Sequence, residues 1–229
     1  MPTLRLLSYN VRSMRDDRAA LARVIRSAEA DVVCVQEAPR FLRWRSLCAQ
    51  LARTSGLVVV GGGRRAGANL VLSSLAVDVL ATADVRFTTD PRLHHRGSAI
   101  AVLRLSGSRF AVAGIHLDVV AAPRIRHVEE LHQAITRHVP EDVATIVAGD
   151  VNDRPGSSAW QALCAQRADA FAVAGSGSGF TSEAASPRQR IDGVFVDPRI
   201  QVRAARVLEQ PDVQLASDHR PVLVELELP

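Results

Sequence analysis

Apolar residues along the chain fall into short runs that alternate with helical stripes, and nearly every run stops on a polar residue. Residues 4–10 alternate loosely as a strand and close on Asn10. Residues 18–28 set Leu21, Val24, Ile25 and Ala28 on one helical face. The run Val32-Val33-Cys34-Val35 reads as a strand buried on both faces, and it delivers Gln36 and Glu37. Pro39 predicts the start of a helix reaching about Ala52. Strands are expected over residues 57–60, 69–73 and 77–87, with a flexible glycine-rich turn at residues 61–67.

Farther along, Ser106-Gly107-Ser108 joins strands at residues 98–105 and 109–117 as a hairpin. A long helix follows over residues 123–139, striped by Ile125, Val128, Leu131 and Ile135. Residues 143–148 form another buried strand and hand over to Gly149-Asp150-Val151-Asn152. Ser157 or Ser158 caps a short helix through Trp160 and Leu163, and residues 175–179 read as a mobile loop. Strands at residues 191–196, 202–208 and 221–228 complete the pattern. Strands interleaved with helices around a hairpin-rich middle indicate an α/β domain with mixed sheets covered by helices. One domain over residues 1–229 is expected from the length.

The residues at strand ends carry the chemistry. Asn10, Glu37, His116, Asp150 with Asn152, Asp192, and Asp218 with His219 all stand where an apolar run gives way. In open α/β architectures ligands bind at such ends, so these scattered residues point to a single patch. Glu37, Asp150 and Asp218 are hard oxygen donors and the asparagines add neutral oxygens, a set suited to magnesium or manganese. The imidazoles of His116 and His219 can donate to a phosphate oxygen or exchange a proton, and Asp192 can orient one of them.

Composition narrows this picture rather than deciding it. The formal charge is +4 and the chain has no lysine, so every strong cation is an arginine; codon bias explains that more simply than selection for a nucleic-acid surface. Few aromatics argue against a base-stacking platform. Cys34, Cys48 and Cys164 read as core residues rather than as a disulfide framework or a zinc site. Absence of a leader or a membrane-length apolar run leads to the expectation of a cytoplasmic protein, monomeric by default. Arg96 follows a loop that can overhang the patch and clamp a phosphate. His94 and His95 are read as unrelated neighbours, Arg64 and Arg65 as solvated turn residues, His127, His132 and His138 as the partly exposed side of the long helix, and Trp44 and Trp160 as core anchors.

Six segments together carry a resemblance. Ser8-Tyr9-Asn10-Val11, Gln36-Glu37, Ile115-His116-Leu117, Gly149-Asp150-Val151-Asn152-Asp153, Arg190-Ile191-Asp192-Gly193-Val194-Phe195 and Ser217-Asp218-His219-Arg220-Pro221-Val222 resemble, in order, the signatures of the endonuclease/exonuclease/phosphatase superfamily, which includes deoxyribonuclease I. The resemblance implies a four-layer α/β/β/α sandwich of two mixed sheets with a divalent-metal phosphoesterase site at one end. It implies magnesium, with manganese as a substitute, near Asn10, Glu37 and Asp218. By the same resemblance Asp150 activates the attacking water, Asn152 holds the phosphate, and Asp192 orients His219. His116 and His219 are its further phosphate contacts, to which the position of Arg96 adds a third.

The expected activity is hydrolysis of a phosphodiester by in-line attack of water, most simply on a nucleic acid. Phosphomonoesters and lipid phosphodiesters are the alternatives, and a non-catalytic binding module is the reading from another class. Arg12, His116 and Gln189 stand where abasic-site endonucleases place an acid, a tyrosine and an aromatic, which argues against abasic-site repair. No phosphate-loop glycine–lysine motif or nucleophile elbow is present in the sequence, so covalent hydrolase and nucleotide-triphosphatase readings recede.

Overall fold

The computed structural model describes residues 1–89 and 94–229. In chain order its first half runs β1 (Thr3–Asn10), α1 (Arg18–Ser27), β2 (Val32–Gln36), α2 (Trp44–Thr54), β3 (Val58–Gly63), β4 (Asn69–Ser73), β5 (Val77–Arg86), β6 (Gly97–Leu105) and β7 (Ser108–His116). Its second half runs α3 (Ala121–His138), β8 (Ala144–Asp150), α4 (Ser158–Cys164), β9 (Ala168–Asp169), α5 (Ala170–Ala174), β10 (Gly175–Ser176), β11 (Asp192–Val196), β12 (Gln201–Val207), α6 (Pro211–Ala216) and β13 (Val222–Glu227). The strands form two mixed sheets, ordered β10-β12-β13-β1-β2-β4-β3 and β5-β6-β7-β8-β11-β9.

Period-two alternation explains how the layers stack. Along β1, Leu4 and Leu6 join Val32, Cys34, Ala101, Val112, Ile146 and Val194 in the core between the sheets. Leu7 and Tyr9 turn the other way, onto Leu21, Val24 and Ile25 of α1 and Leu51 of α2. The second sheet repeats the scheme: Ile115, Val147 and Phe195 pack outward against Val128 and Leu131 of α3 and Trp160 of α4. The result is the four-layer α/β/β/α sandwich that the resemblance implies, with roughly 1.5–3 kcal/mol from each large apolar side chain it buries. Among the described residues, no helix is long and apolar enough to cross a membrane.

Local expectations differ from the structure in a few places, each with a cause. Helix α2 starts at Trp44 rather than Pro39, because Arg43 adopts a left-handed backbone (φ 61°) and interrupts the turn. Gly61, Gly62 and Gly63 lie inside β3 instead of a flexible turn. A Cβ on Gly62 would come within 2.3 Å of the Asn69 carbonyl oxygen, so the strand pair closes only over glycine. His127 is fully buried, its Nε2 3.0 Å from the Thr88 carbonyl oxygen, and only His138 of the three helix histidines is exposed. Trp160 is a core anchor and its Nε1 donates to Asp169 (3.0 Å), whereas Trp44 is half-buried. Cys34 and Cys48 are buried and Cys164 is half-buried.

Candidate active site

Strand parity brings the polar ends together. The face of β1 that buries Leu4 and Leu6 continues through Ser8 to Asn10, so Asn10 opens into the gap between the sheets. By the same count His116 follows Phe110 and Val112 on β7, Asp150 follows Ile146 and Ala148 on β8, and Asp192 precedes Val194 and Val196 on β11. Register then sets three of them side by side: His116 pairs with Asp150 across β7 and β8, and Asp192 pairs with Asp150 across β8 and β11. All four are buried.

Hydrogen bonds fix the arrangement. Asn10 Nδ2 donates to Asp150 Oδ2 (3.0 Å) and to Glu37 Oε1 (3.4 Å), holding the two carboxylates toward a common point. The Arg12 N–H donates to Asn10 Oδ1 (3.1 Å), so the atom that Asn10 turns to the carboxylates is nitrogen, not the oxygen expected of a metal ligand. His116 Nε2 lies 3.4 Å from Asp150 Oδ2, and His219 Nε2 lies 3.9 Å from the same oxygen. His219 Nδ1 sits 2.9 Å from Asp192 Oδ2. Glu37 is half-buried and has a left-handed backbone (φ 52°), a strained turn of the kind found at working sites.

Other expected residues take definite places. Asn152 also has a left-handed backbone; its N–H donates to Asp150 Oδ1 (2.9 Å) and its Nδ2 to the Leu117 carbonyl (3.0 Å), which leaves one amide hydrogen for a ligand. Asp218 is half exposed and its Oδ2 lies 3.2 Å from Arg12 Nε, so its charge is matched by an arginine. Arg96 stands immediately before β6. It is only 7% exposed at the foot of β6, and lines a cavity of about 230 Å³ with Glu37, His116, Arg40 and His94. Its Nε has no hydrogen-bond partner among the described residues. Residues 90–93 of the loop ahead of it lie outside the described residues.

Three positioning residues have roles that the sequence does not assign, although one of them, Ser217, stands in the last of the six segments. Thr181 is fully buried; its Oγ1 accepts from the Ile191 and Asp192 N–H groups, and its carbonyl from the Arg220 N–H, tying Asp192 to the His219 segment. Ser217 Oγ donates to the Asn10 carbonyl (2.7 Å) and accepts from the His219 N–H (3.2 Å). Arg124 donates to the carbonyls of Asp118 and Asn152 (2.8 Å each) and pairs with Asp153 (2.7 Å), pinning the loop after β8. A lone threonine or an arginine on a helix has no local signal of such a role.

Burial and neighbouring charge divide the titrating groups into opposed states. Burial, then the nearby Asp192 carboxylate, pushes Asp150 up to about 7, against the charge of His219 and the hydrogen bonds from Asn152 and Asn10. For His219, burial favours the neutral ring, but the charge and hydrogen bond of Asp192, with Asp150 beside it, push it up to about 10. His116 is held well below the usual imidazole range, first by burial and then by Arg96, His219 and Arg40. Near pH 7, then, His219 is an imidazolium, His116 is neutral, and Asp150 stands at the edge of ionisation. Such pairs of groups driven apart are the ordinary mark of acid–base assignments.

The donor set also suits a hard divalent cation. Asp150 and Asp192 offer carboxylate oxygens within 4.8 Å of each other, Glu37 reaches the same Asn10 amide as Asp150, and His219, being cationic, stands beside this group without a lone pair to give. A buried carboxylate pushed upward by a second carboxylate is relieved by positive charge, and oxygen donors select magnesium- or manganese-like ions over zinc.

Comparison with known proteins shows the family and the fold. The description "Endonuclease/Exonuclease/phosphatase family" matches residues 7–219. Among solved structures, an endonuclease/exonuclease/phosphatase from Bacteroides vulgatus superposes with a TM-score of 0.84 at 20% identity, covering 100% of both chains. A mannosyl-6-phosphatase from Bacteroides thetaiotaomicron gives 0.84 at 18% identity, covering 97% of this chain and 99% of the other. D. rerio TDP2, complexed with single-strand DNA product, gives 0.77 at 19% identity, covering 99% and 100%. No curated protein matches the chain. With the fold, the gathered strand ends and a match across nearly its whole length in agreement, the chain belongs to the endonuclease/exonuclease/phosphatase family of phosphoester hydrolases.

Proposed function

We propose that residues 1–229 act as one catalytic domain, a magnesium-dependent phosphodiesterase of the nuclease type. The observation that carries the reading is the meeting of Asp150, Asp192, His116, His219 and Arg96, all largely withdrawn from water, at one mouth of the inter-sheet gap. Burying so many ionisable groups is costly unless they have work to do.

Glu37 is the side chain that would hold the cation, with Asn10 fixing its direction and Asp150 close by. Magnesium, or manganese in its place, supplies there a positive charge that neutralises the phosphate oxygens and polarises the phosphorus–oxygen bonds. Asp150 accepts the proton of the attacking water as its oxygen bonds to phosphorus in line with the leaving oxygen. His219, kept cationic by Asp192, donates from Nε2 to a non-bridging oxygen, where negative charge accumulates. Neutral His116, Arg96 and the free amide hydrogen of Asn152 complete a cradle for the phosphate. No covalent enzyme intermediate is involved, and the ester oxygen leaves with a proton drawn from solvent or from His219.

The test is metal-dependent turnover across a substrate panel: bis(p-nitrophenyl) phosphate, p-nitrophenyl phosphate, single- and double-stranded DNA, RNA, sphingomyelin and inositol phosphates, each with magnesium and with EDTA. Diester and polynucleotide cleavage that EDTA abolishes is the expected result. Turnover of monoesters alone would favour a phosphatase, as the similarity to the mannosyl-6-phosphatase suggests, and no turnover at all would leave a binding module.

A pH profile probes the assignment of His219. Activity is expected to fall on the acid side, where Asp150 takes up its proton at a pH that a bound cation brings below the metal-free value of about 7, and above about pH 10, where His219 loses its own. Asp192→Asn removes the charge that holds His219 up. The alkaline limb of kcat/KM should therefore move down by more than one pH unit. An unmoved limb would show that His219 is not the group titrating there.

A further inference from the structure

Away from the gap, the surface carries a feature that hydrolysis of a small ester does not require. The cavity of Glu37, Arg96 and His116 shares Arg40, Phe41, Gly67, Ala68 and His94 with a second of about 280 Å³, which adds Arg64, Arg86 and His95. Arg86 in turn borders a third, shallower basin with Arg45, Arg65 and Trp44. The short 3₁₀ turn Arg64–Ala66 after β3 places Arg64 on one compartment and Arg65 on the next, and the end of β5 supplies Arg86 between them. A continuous lane therefore leads outward from the site.

Its electrostatics set it apart from much of the surface. Arg23, Arg104, Arg109 and Arg203 each rest on a carboxylate. Among the described residues, none of Arg40, Arg45, Arg64, Arg65 and Arg86 makes such a pair, and beyond Glu37 the only acid along the lane is Asp84. Like charges crowded without counter-charges repel one another, and a ligand carrying several negative charges in succession relieves that repulsion. Two of the chain's few aromatic side chains also lie there: Phe41, 72% exposed where the first two compartments meet, and Trp44 in the third, where its ring packs on Gly63 and lies under the Arg45 guanidinium. Aromatics are scarce in the sequence, yet the fold sets these two on the path. Concave compartments of this size suit a flexible strand, whereas reading a duplex groove calls for an element that protrudes into it.

We infer that this lane carries a single-stranded nucleic acid away from the phosphate that is cut, its successive phosphates on Arg64, Arg86 and Arg65 and a base on the exposed ring of Phe41. The inference rests on the phosphoesterase reading for what happens at the gap, but occupancy of the lane is testable without turnover.

Fluorescence anisotropy of a labelled single-stranded oligonucleotide of about twelve nucleotides, in EDTA, measures binding alone. Arg64→Gln/Arg65→Gln/Arg86→Gln should weaken it at least tenfold and lower the slope of log affinity against log salt by about 0.7 for each phosphate no longer held by a guanidinium. The single Arg86→Gln variant, with circular dichroism of both proteins, guards against misfolding of the triple variant and should show about one phosphate's share. In magnesium, kcat/KM should rise with oligonucleotide length, and the triple variant should flatten that rise through KM. A folded variant that binds like wild type overturns the lane. Equal binding of duplex, or equally strong competition by inorganic polyphosphate, overturns the single strand as its occupant. Tight, arginine-dependent binding without hydrolysis of any substrate would uphold the lane and sink the phosphoesterase reading instead.

Discussion

Replacing Asp150 with asparagine is expected to lower kcat by about a thousandfold, within the range general-base removal produces, while making the metal-free protein more stable. The two effects have one cause. An unfolded aspartate ionises above its ordinary value of 3.8, but burial and Asp192 delay this in the folded protein to about 7. The folded state is therefore penalised progressively as pH climbs from about 4 to about 7, and the penalty is complete above that. Asparagine keeps an oxygen for the Asn152 N–H without carrying the charge, but its amide nitrogen then faces the Asn10 Nδ2 donor, which offsets part of the gain. At pH 8 in EDTA the net effect, after loss of the attraction between Asp150 and His219, should still be a Tm higher by a few degrees. Loss of activity together with a lower Tm would instead make Asp150 a structural residue.

Gly149→Ala should be the most damaging small substitution in the chain. A Cβ there would lie 1.9 Å from the Ile115 carbonyl oxygen and 2.8 Å from its carbon, so β7 and β8 must part where His116 and Asp150 sit in register. We expect a loss of about 3 kcal/mol or more, with Tm down by roughly 10 °C. Activity should vanish even at temperatures where the variant remains folded, because the two side chains no longer face the same point. Gly107→Ala is the control: nothing lies within 4 Å of a Cβ in that hairpin, and only its positive φ of 90° opposes the change. Its cost should be about 1–2 kcal/mol, with activity retained. Equal damage at both positions would deny the steric argument.

How much of the molecule is legible in the sequence depends on whether the cause is local. Asn10, His116, Asp150 and Asp192 stand out as polar ends of apolar strands, and counting by twos from their buried neighbours places each in the gap. Glu37 stands out for the same reason, one residue past β2. The burial of Arg96 does not, because it depends on Gly67 packing against the Arg96 backbone across the gap between β3 and β6. Thr181 and Ser217 act through hydrogen bonds to segments far away in the chain, and no spacing announces them. The glycines of β3 read as a turn because glycine disfavours strands on its own, and only the close approach of β4 to Gly62 and of the Trp44 ring to Gly63 gives the reason for those two. The basic lane is hidden as well, since Arg40, Arg64 and Arg86 come from three separate segments and meet only in the folded chain.

The most direct test of the site is a crystal of the protein soaked in manganese and examined by anomalous diffraction, beside the same experiment on Glu37→Gln. One anomalous peak against the Glu37 carboxylate, on the side of Asn10 and Asp150 and missing from the variant, is the predicted outcome. A peak that persists unchanged in Glu37→Gln, or one bound far from the mouth of the inter-sheet gap, would contradict it.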